Sequence, residues 1–432
     1  MPDRHPRRKT REENARHTRQ ALLKAALGVV ARHGYKKSSV SRITEAAGVA
    51  QGTLYSYFQS HEELLAELVP AEGANLIEEL KRATADASGY FDYENRVFLA
   101  FAAYLRRSRY FLRVLTEAEI AAPSSHAAYM RAIQELQLIA LHRAQKAGEI
   151  RPQSDRAFRA IAELLAGARS HIAIGFGDRH GNRVFRPDQL PGWVAGTYTK
   201  FVTAGLGGDP DFSPARAPIP SENSASGRRD TRGHLLEAGA RLIYEVGFAG
   251  ASIQAVTRAA DVAIATFYAH FASRQALFDE LLTYVRTSML AHVGATARGS
   301  GSFLELECRG FQAFFDFVWH NPWYIRIETE AALWAPAAYL RHFHDLADRY
   351  ISSMRRSKAR GELKAYADHE LPAVAFMLMA ARHYLANRFV LANPKPHRLP
   401  AWVGESYMHF AATGLGNTLA LPSGLSAVTR RR

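Results

Sequence analysis

The side chains with the clearest chemistry in this sequence are cations near its start. Residues 1–42 contain twelve Lys and Arg against three Asp and Glu, a net charge of about +9, and the whole 432-residue chain carries +14. Cations at this density bind polyanions, because each can neutralise a phosphate and release its counterions. The sequence therefore predicts a nucleic-acid or membrane-surface partner. The candidate phosphate ligands, in or beside a basic arm at residues 1–17, are Arg7, Arg8, Lys9, Arg11, Arg16 and Arg19.

Patterns for catalysis or metal binding are weak or missing from the sequence. It contains no Gly-x-Ser-x-Gly elbow, phosphate loop, dinucleotide fingerprint or His-Glu-x-x-His motif. The one cysteine, Cys308, has no evident activating partner. His342 and His344 look like a metal pair, but side chains two positions apart on a helix point in different directions. We therefore expect no enzyme activity, no cofactor and no metal.

Cysteine usage and hydropathy indicate the compartment. A single cysteine cannot close an internal disulfide, which fits a reducing compartment. The longest apolar segment, Leu371–Ala381, is shorter than the roughly 20 residues that span a bilayer. The first residues also lack the apolar core of a signal peptide. These features predict a cytoplasmic protein that does not insert into membranes.

An internal duplication sets the domain organisation. Residues Thr18–Leu68 align without a gap on Thr231–Leu281, at an offset of 213 and with about 19 identities in 51 positions. The correspondence continues downstream, for example from Thr116–Ala118 to Thr329–Ala331. A period of about 200 residues indicates a duplicated domain and is too long for a stacked solenoid. Between the copies, residues 207–229 are rich in Pro, Ser and Gly and predict an exposed linker.

Each copy begins with a pattern of short helices. A first helix is predicted over Thr18–Arg32, because one of its faces carries Leu22, Leu23, Ala26, Val29 and Val30. Ser39 is a good N-cap for Val40–Ala47, and Gly48 allows a tight turn before Gln51–Phe58. Two short helices joined in this way form a helix-turn-helix, whose second helix reads the major groove of DNA. The alternative is a small helical bundle without DNA binding.

The same residues carry a family resemblance. Gly34-Tyr35-x-x-Ser38-Ser39-Val40-x-x-Ile43 and Ala47-Gly48-Val49-x-x-Gly52-Thr53-Leu54-Tyr55-x-Tyr57-Phe58-x-Ser60 resemble the head of the TetR (tetracycline-repressor-like) family of bacterial transcription regulators. The second copy resembles it through 265–273. The resemblance implies an all-α fold with two tandem modules. Each module would have a three-helix helix-turn-helix DNA-binding head and a helical ligand-binding and dimerisation domain.

This organisation predicts seven segments along the chain. They are the basic arm at 1–17, the first head at 18–65, the first regulatory domain at 66–206, the linker at 207–229, the second head at 230–278, the second regulatory domain at 279–418 and a tail at 419–432. The expected dimerisation helices contain Ala160–Ile172 and Trp193–Leu206 in the first copy, and Leu371–Leu385 and Trp402–Leu415 in the second.

The resemblance also assigns residues to the DNA interface. In the first head these are Ser38, Ser39, Arg42, Gln51, Gly52, Thr53, Tyr55, Tyr57 and His61. In the second head they are Ser252, Ile264, Thr266, Tyr268, His270 and Arg274. Tyr hydroxyls and helix N-termini would contact phosphate, and Gln51 could pair with adenine through two hydrogen bonds. For Leu54 and Phe58 we expect a place in the core of the head.

The second head departs from the first at positions that face DNA. Gln51 becomes Ile264 and Tyr57 becomes His270. Residues 228–258 carry five cations against three anions, about +2, so this head should bind DNA more weakly. Two different heads in one chain predict an intrachain pseudo-dimer on an asymmetric operator. A homodimer of whole chains with four heads, and a basic helical interaction protein with a vestigial second head, are the alternatives.

Aromatic and apolar residues dominate both regulatory halves. Most are expected in the helical core, and some could line a ligand cavity between helices. The candidate pocket residues are Tyr104, Phe111, Glu117, His171, Phe317, Tyr324, Glu330, Trp334 and His383. The segment Phe111–Glu119 resembles family members that respond to lipid-like ligands. We therefore expect a regulator, a repressor as the commoner mode of the family, that a small hydrophobic, acyl or lipid-like effector releases from double-stranded DNA.

Overall fold

The computed structural model describes residues 10–108, 110–177, 190–207, 231–391 and 396–416. The linker beyond Gly207 and the tail at 419–432 lie outside the described residues. Within them the chain is α-helical without a β-strand, which confirms the predicted fold class. The helices of the first copy are α1 (Arg11–His33), α2 (Val40–Ala47), α3 (Gln51–Tyr55), α4 (His61–Thr84), α5 (Tyr90–Arg107), α6 (Phe111–Ala121), α7 (Pro123–Lys146), α8 (Asp155–Gly177) and α9 (Trp193–Gly207).

The second copy repeats this order of helices. They are α10 (Thr231–Gly250, interrupted at Gly247), α11 (Ile253–Ala259), α12 (Ile264–His270), α13 (Arg274–Ala297), α14 (Phe303–His320), α15 (Trp323–Trp334), α16 (Pro336–Ala359), α17 (Leu371–Phe389) and α18 (Ala401–Gly414). Within the described ranges, every helix lacks either the length or the hydrophobicity that a bilayer crossing requires.

The chain divides into two compact units. The first comprises Met1–Arg82 and Ala103–Ile133, and the second comprises Ala83–Ala102 and Gln134–Arg432. The first unit thus contains α1 to α3, nearly all of α4, the end of α5, the whole of α6 and the beginning of α7. The second unit contains the remaining helices, including the whole second copy.

Helix α1 begins earlier than the predicted start at Thr18. The Thr10 hydroxyl accepts a hydrogen bond from the Glu13 N–H (3.2 Å), and the Glu13 carboxylate accepts one from the Thr10 N–H (2.7 Å). This reciprocal capping box satisfies two donors that a helix start otherwise leaves unpaired. Residues 11–17 of the predicted basic arm are therefore helical. The predicted apolar face of α1 is confirmed, since all five of its residues are buried.

Helices α8 and α17 pack along each other in the core of the second unit. Helix α8 is buried on nearly all sides, as expected for a helix that is apolar all round. Its glycines let rings of α17 approach closely: a Cβ at Gly167 would lie 2.7 Å from the Tyr384 ring, and one at Gly175 would lie 2.4 Å from the Phe376 ring. These two glycines therefore set the spacing of α8 and α17.

Helices α9 and α18 form a second pair with reciprocal contacts. Phe410 packs over Gly205, and Phe201 packs over Gly414, with 2.7 and 2.9 Å to the position of a Cβ. The two phenyl rings also meet edge to face at 5.6 Å. From the middle of α9, the Lys200 ammonium pairs with the α17 cap residue Glu370 at 2.8 Å. All four helices are those that the sequence predicted for dimerisation.

A methyl group at Gly175 should loosen this packing. The Phe376 ring cannot move away freely, because it packs against Phe176 and Phe343 with centroid distances of 5.3 and 5.4 Å. Gly175→Ala should therefore lower the free energy of unfolding by about 1–3 kcal/mol, measured by urea denaturation. Gly196→Ala is the matched control, since Gly196 is an exposed glycine of α9 with no atom near its Cβ position. It should leave stability unchanged or raise it by up to about 1 kcal/mol. Equal effects of the two substitutions would contradict the close contact.

Candidate DNA-binding heads and ligand cavity

The first head has the geometry of a helix-turn-helix. The Ser39 hydroxyl accepts a hydrogen bond from the Arg42 N–H (3.4 Å) and caps α2, as predicted. Gly48 then adopts a left-handed conformation with φ of +68°, which turns the chain into α3. Leu54 and Phe58 are buried beneath α3, as predicted. The inner side of α3 is therefore fixed by the core, and its outer side is left to solvent.

The outer side of α3 carries most of the residues predicted to contact DNA. Gln51, Gly52 and Tyr55 are exposed, and Tyr55 exposes 57% of its surface. Thr53, Tyr57 and His61 are half-buried beside them. A tyrosine that projects from a helix of five residues does not stabilise the core, so its surface is available to a partner.

Ser38 and Arg42 are engaged in the turn before α2. Ser38 is buried, and its hydroxyl donates to the Tyr35 carbonyl (2.7 Å). The exposed Arg42 guanidinium donates to the Lys37 carbonyl (2.6 Å). Both groups thus stabilise the local backbone. Their contact with phosphate stays a prediction.

The second head repeats the arrangement with different surface chemistry. The Ser252 hydroxyl caps α11 by accepting from the Ala255 N–H (3.1 Å). Asp261 takes the position of Gly48 and also has a positive φ of 53°, which Asp tolerates better than most residues. Ile264 and Tyr268 expose 46% and 56% of their surface on α12. Thr266 and His270 are half-buried.

Arg274 has a structural role in the second head. Its guanidinium lies over the Phe248 ring at 4.4 Å. It also donates to the carbonyls of Phe248, Ala249 and Ala251 at 3.2 to 3.4 Å. It therefore holds the turn between α10 and α11, and its predicted phosphate contact stays a prediction.

In each copy, an equivalent ion pair joins the first helix of the head to the helix that follows the head. Arg19 on α1 pairs with Glu67 on α4 and lies over the Phe58 ring at 4.8 Å. The second copy repeats this with Arg232, Glu280 and Phe271, at 4.7 Å to the ring. The repeated geometry indicates that both copies fold into the same head.

A glutamate of α6 fixes the first head to its regulatory half. The Glu117 carboxylate accepts a hydrogen bond from the Tyr35 N–H (2.8 Å). It reaches this amide because Gly34 has no side chain: a Cβ there would lie 2.7 Å from the Glu117 Oε1. Gly34 also has a φ of +83°, which favours glycine. Glu117 therefore links α6 to the end of α1.

The second copy makes the equivalent link through α15. A Cβ at Gly247, where φ is +73°, would lie 2.8 Å from the Glu330 Oε1. Glu330 also accepts from the Trp334 indole N–H (2.9 Å) and pairs with Arg326 (3.0 Å). The Trp334 ring packs on Phe248 at 5.5 Å. Glu330 and Trp334, predicted as pocket residues, thus lie where α15 meets the second head.

Buried acidic and basic side chains cross the regulatory half of each copy. In the first copy, Arg169 and the Tyr198 hydroxyl both donate to Glu94, which is fully buried. Gln137 donates to the same carboxylate at 2.8 Å. A buried carboxylate is tolerated only when such partners compensate for its lost hydration. The cluster joins α5, α7, α8 and α9.

The second copy preserves this cluster at equivalent positions. Arg382 donates to Glu307 (2.9 Å), as do the hydroxyls of Tyr407 and Tyr350, the latter at 3.1 Å. Burial raises the pKa of Tyr350 and Tyr407, so both hydroxyls keep their protons. Sequence reasoning missed Glu94 and Glu307. Their signal was identity between the copies, since a carboxylate kept twice on an apolar helix face needs a buried partner.

A cavity of about 210 Å³ is lined by helices of the second copy and by His171 of α8. Apolar side chains of α13 and α14, among them Met289, Val293 and Phe314, line one side. The polar side includes Tyr324 and Glu328 of α15, together with His342 of α16. Three of the nine predicted pocket residues line this cavity: His171, Tyr324 and His383.

The other predicted pocket residues lie elsewhere. The Tyr104 hydroxyl donates to Glu72 (2.7 Å), and its ring packs on Phe111 in the first unit. Phe317 packs against Tyr324 from outside the cavity lining. Glu117, Glu330 and Trp334 contact the heads, as described above. The residue type alone, apolar or acidic, does not distinguish a residue that lines a pocket from one that contacts a head.

Family comparison assigns the two heads. Residues 22–68 and 235–281 each match the model of bacterial regulatory proteins, tetR family. The two segments are tetR-family domains. The tandem arrangement of the chain is therefore a duplication of a tetR-type module, as the internal repeat predicted.

Relatives of known sequence match a short part of the chain. A fatty acid metabolism regulator protein of Bacillus subtilis is 40% identical over 60 residues, which are 14% of this chain and 31% of that protein. The transcriptional regulator AcrR of Shigella flexneri is 35% identical over 69 residues, 16% of this chain and 32% of the relative. The chain thus spans about a third of the length of these relatives.

Solved structures match a larger share of the chain. The transcriptional regulator FadR of Bacillus subtilis, in complex with stearoyl-CoA, is 22% identical with a TM-score of 0.33, covering 35% of this chain and 83% of that one. A fatty acid metabolism regulator of Clostridium perfringens is 20% identical with a TM-score of 0.35, covering 41% and 96%.

Substitution of Gly34 should separate backbone strain from the contact with Glu117. Gly34→Ala adds a collision with the carboxylate and places an Ala at φ 83° and ψ 160°, a region that is essentially restricted to glycine. Gly48→Ala adds only an Ala in the left-handed helical region, because no atom lies near the Cβ position of Gly48. Gly48→Ala should lower the free energy of unfolding by about 1–2 kcal/mol, and Gly34→Ala should lower it by more, because its greater backbone strain and the collision add.

Thermal or urea unfolding of both variants measures this difference. Glu117→Ala in the Gly34→Ala background should recover part of the extra loss, because it removes the group that the new methyl meets. If Gly34→Ala and Gly48→Ala were equally destabilising, the link between α6 and the first head would be weaker than its geometry indicates.

Proposed function

We propose that this chain is a DNA-binding transcriptional regulator, acting in the bacterial cytoplasm as a repressor. The observation that carries the proposal is the exposed outer side of α3 and α12, in two tetR-family domains. Tyr55 and Tyr268 project from short helices whose inner sides are fixed by Leu54 and Phe267. Such helices offer hydroxyl, amide and apolar groups to the major groove. The predicted domain boundaries, from the arm at 1–17 to the tail at 419–432, form part of this proposal.

The two copies are proposed to pair within one chain. Support comes from the reciprocal contacts of α9 and α18, where Phe410 covers Gly205 and Phe201 covers Gly414. The ring of His171 likewise meets that of Tyr384, its own counterpart at the offset of 213, at 5.8 Å. Equivalent residues meet in this way at a two-fold interface. The four helices occupied by this pairing are those through which tetR-type proteins are expected to dimerise.

The operator is proposed to be asymmetric. The first head presents Gln51 at the start of its recognition helix, and the second presents the apolar Ile264 at the same position. An amide side chain pairs with adenine, whereas an apolar side chain packs on a thymine methyl. Each head should therefore select its own half-site.

Effector binding is proposed to act through α15. This helix contributes Tyr324 and Glu328 to the cavity, and its last turns carry Glu330 and Trp334 to the second head. A ligand that favours a different position of α15 would lower DNA affinity by its differential affinity for the two states, typically by about 1–3 kcal/mol. The effector is proposed to be small and hydrophobic. Acyl or lipid-like compounds are candidates, because one relative is a fatty acid metabolism regulator protein of Bacillus subtilis.

DNA selected by the full chain from a random pool should contain two dissimilar half-sites. Gln51→Ala should relax base preference by about 1–3 kcal/mol in one half only, and Ile264→Ala should act only on the other. Footprinting and mobility shift across a salt series measure both effects. Gln134→Ala, on α7, is the control and should change neither half.

Two results would contradict this proposal at different levels. A perfect palindrome, with both halves bound equally, would overturn the asymmetric operator. Loss of every shift even at about 50 mM salt would overturn DNA binding itself, since phosphate contacts are strongest at low salt. The vestigial second head would appear as an Ile264→Ala variant with unchanged footprints on both halves.

Sedimentation at low concentration should give the mass of one chain, 48 kDa. The reason is that the second unit already buries the helices that would otherwise join two chains. The DNA complex should likewise contain one chain per operator. A species of about twice that mass at the lowest concentration would instead favour the homodimer of whole chains with four heads.

A further inference from the structure

One corner of the cavity holds an oriented imidazole. His342 exposes only 4% of its surface, and its Nε2 lies 2.7 Å from Oε1 of Glu328. The Tyr324 hydroxyl donates to the same carboxylate oxygen (2.9 Å). Because a carboxylate only accepts hydrogen bonds, Nε2 carries a proton, and in the singly protonated ring Nδ1 is an acceptor. This buried Nδ1 has no hydrogen-bond partner among the described residues.

The first copy contributes a second imidazole to the same cavity. His171 of α8 exposes 7% of its surface and contacts the rings of Phe343, His383 and Tyr384. Burial, reinforced by neighbouring His383, lowers the pKa of His171 to about 3, so the ring is neutral at neutral pH. Its Nδ1 also lacks a hydrogen-bond partner within the described part of the chain. Two unpaired buried polar atoms in one cavity point to a ligand that pairs with them.

The first copy does not repeat this polar corner. At the offset of 213, Leu115 stands for Glu328, Tyr129 for His342 and Ser170 for His383. Tyr384 of the second copy stands for His171. The duplication kept the buried Glu–Arg–Tyr clusters but not these groups. The polar corner of the cavity therefore occurs in the second copy and has no equivalent in the first.

The size and charge of the cavity restrict its ligand. A cavity of about 150 Å³ can hold benzene, so one of about 210 Å³ has room for one or two rings. Pockets for larger ligands are typically about 300–1,000 Å³. The carboxylates of the buried Glu307 and the half-buried Glu328 already have their partners, and an added anion would repel both. Arg349, the remaining cation of the lining, is exposed and screened by solvent.

We propose that this cavity binds one uncharged compound of one or two rings through a hydroxyl or N–H that donates to His342, with His171 of the first copy closing the site. The inference rests on the proposed function, because it names the effector class of the same regulator. It places one such site in the chain, lined by the second copy and completed by His171 of the first. The ligand would thus bridge both copies, so that its binding depends on the pairing of α8 with α17.

Calorimetric titration of the full chain with 2-naphthol tests the proposal. The expected result is one site per chain. The methyl ether 2-methoxynaphthalene, which cannot donate, should bind about tenfold more weakly. The anion 2-naphthoate should bind at least about a hundredfold more weakly. Equal binding of the ether, tighter binding of the anion, two sites per chain or no binding of 2-naphthol would each overturn the assigned ligand class.

Variants then test the two imidazoles. His342→Tyr introduces the residue of the first copy and His171→Phe removes the bridging nitrogen, and each should weaken 2-naphthol binding about tenfold or more. His344→Tyr is the control, because His344 lies on the same helix but outside the cavity lining. It should bind normally. Circular dichroism of each variant confirms that the helices persist, and normal binding by folded His342→Tyr would overturn the site.

Mobility shift on the selected operator separates this inference from the proposed function. The operator shift of the unliganded chain does not depend on the cavity. A chain that shifts DNA but does not bind 2-naphthol overturns the ligand class and leaves the regulator intact. A chain that binds 2-naphthol in the expected pattern but never shifts DNA supports the site and overturns the regulator.

Discussion

The buried pairing of a glutamate with an arginine is the interaction on which each regulatory half depends. Glu94 with Arg169, and Glu307 with Arg382, each place two charges largely out of contact with solvent. A lone charge there would be strongly unfavourable, so the helices that supply the partners must stay together. Tyr198 and Tyr407 extend the pairing to α9 and α18. The same clusters thereby position the outer faces of α8 and α17, which pack on each other.

The position of each head depends on a contact that only a glycine permits, because glycine has no side chain to block it. Gly34 and Gly247 leave room for the carboxylates of Glu117 and Glu330 to approach the backbone. A hydrogen bond to a main-chain amide depends on direction, so small movements of α6 would strain it. In the second copy, α15 belongs to both the cavity wall and this contact. A movement of α15 at the cavity wall would therefore also move its contact with the second head, because both belong to the same helix.

Local patterns in the sequence predicted the heads and the pairing helices, whereas contacts between residues far apart in the sequence could not be predicted. Helical periodicity identified the buried face of α1, and the Ser39 cap follows from its neighbours alone. By contrast, Glu117 meets an amide 82 residues away, and nothing near it distinguishes a head contact from a pocket residue. The capping pair of Thr10 and Glu13 lies within a run of charges that was predicted as a basic arm, so the start of α1 was missed. Only the repeat carried long-range information, through polar residues preserved in both copies.

Joining two copies in one chain removes a constraint that a homodimer obeys. In a homodimer every substitution appears twice, so a polar corner at the cavity would also appear twice, and a more basic head would change both half-sites. Here the position that is Tyr129 in the first copy can be His342 in the second, and the position that is Gln51 can be Ile264, because each copy changes independently. In the function we propose, the strongly basic first head would supply general affinity for DNA, while the second copy holds the cavity and the less basic head. A ligand that moves α15 would act first on the head that contributes less to phosphate binding, and would therefore change the choice of operator more than the affinity for DNA in general.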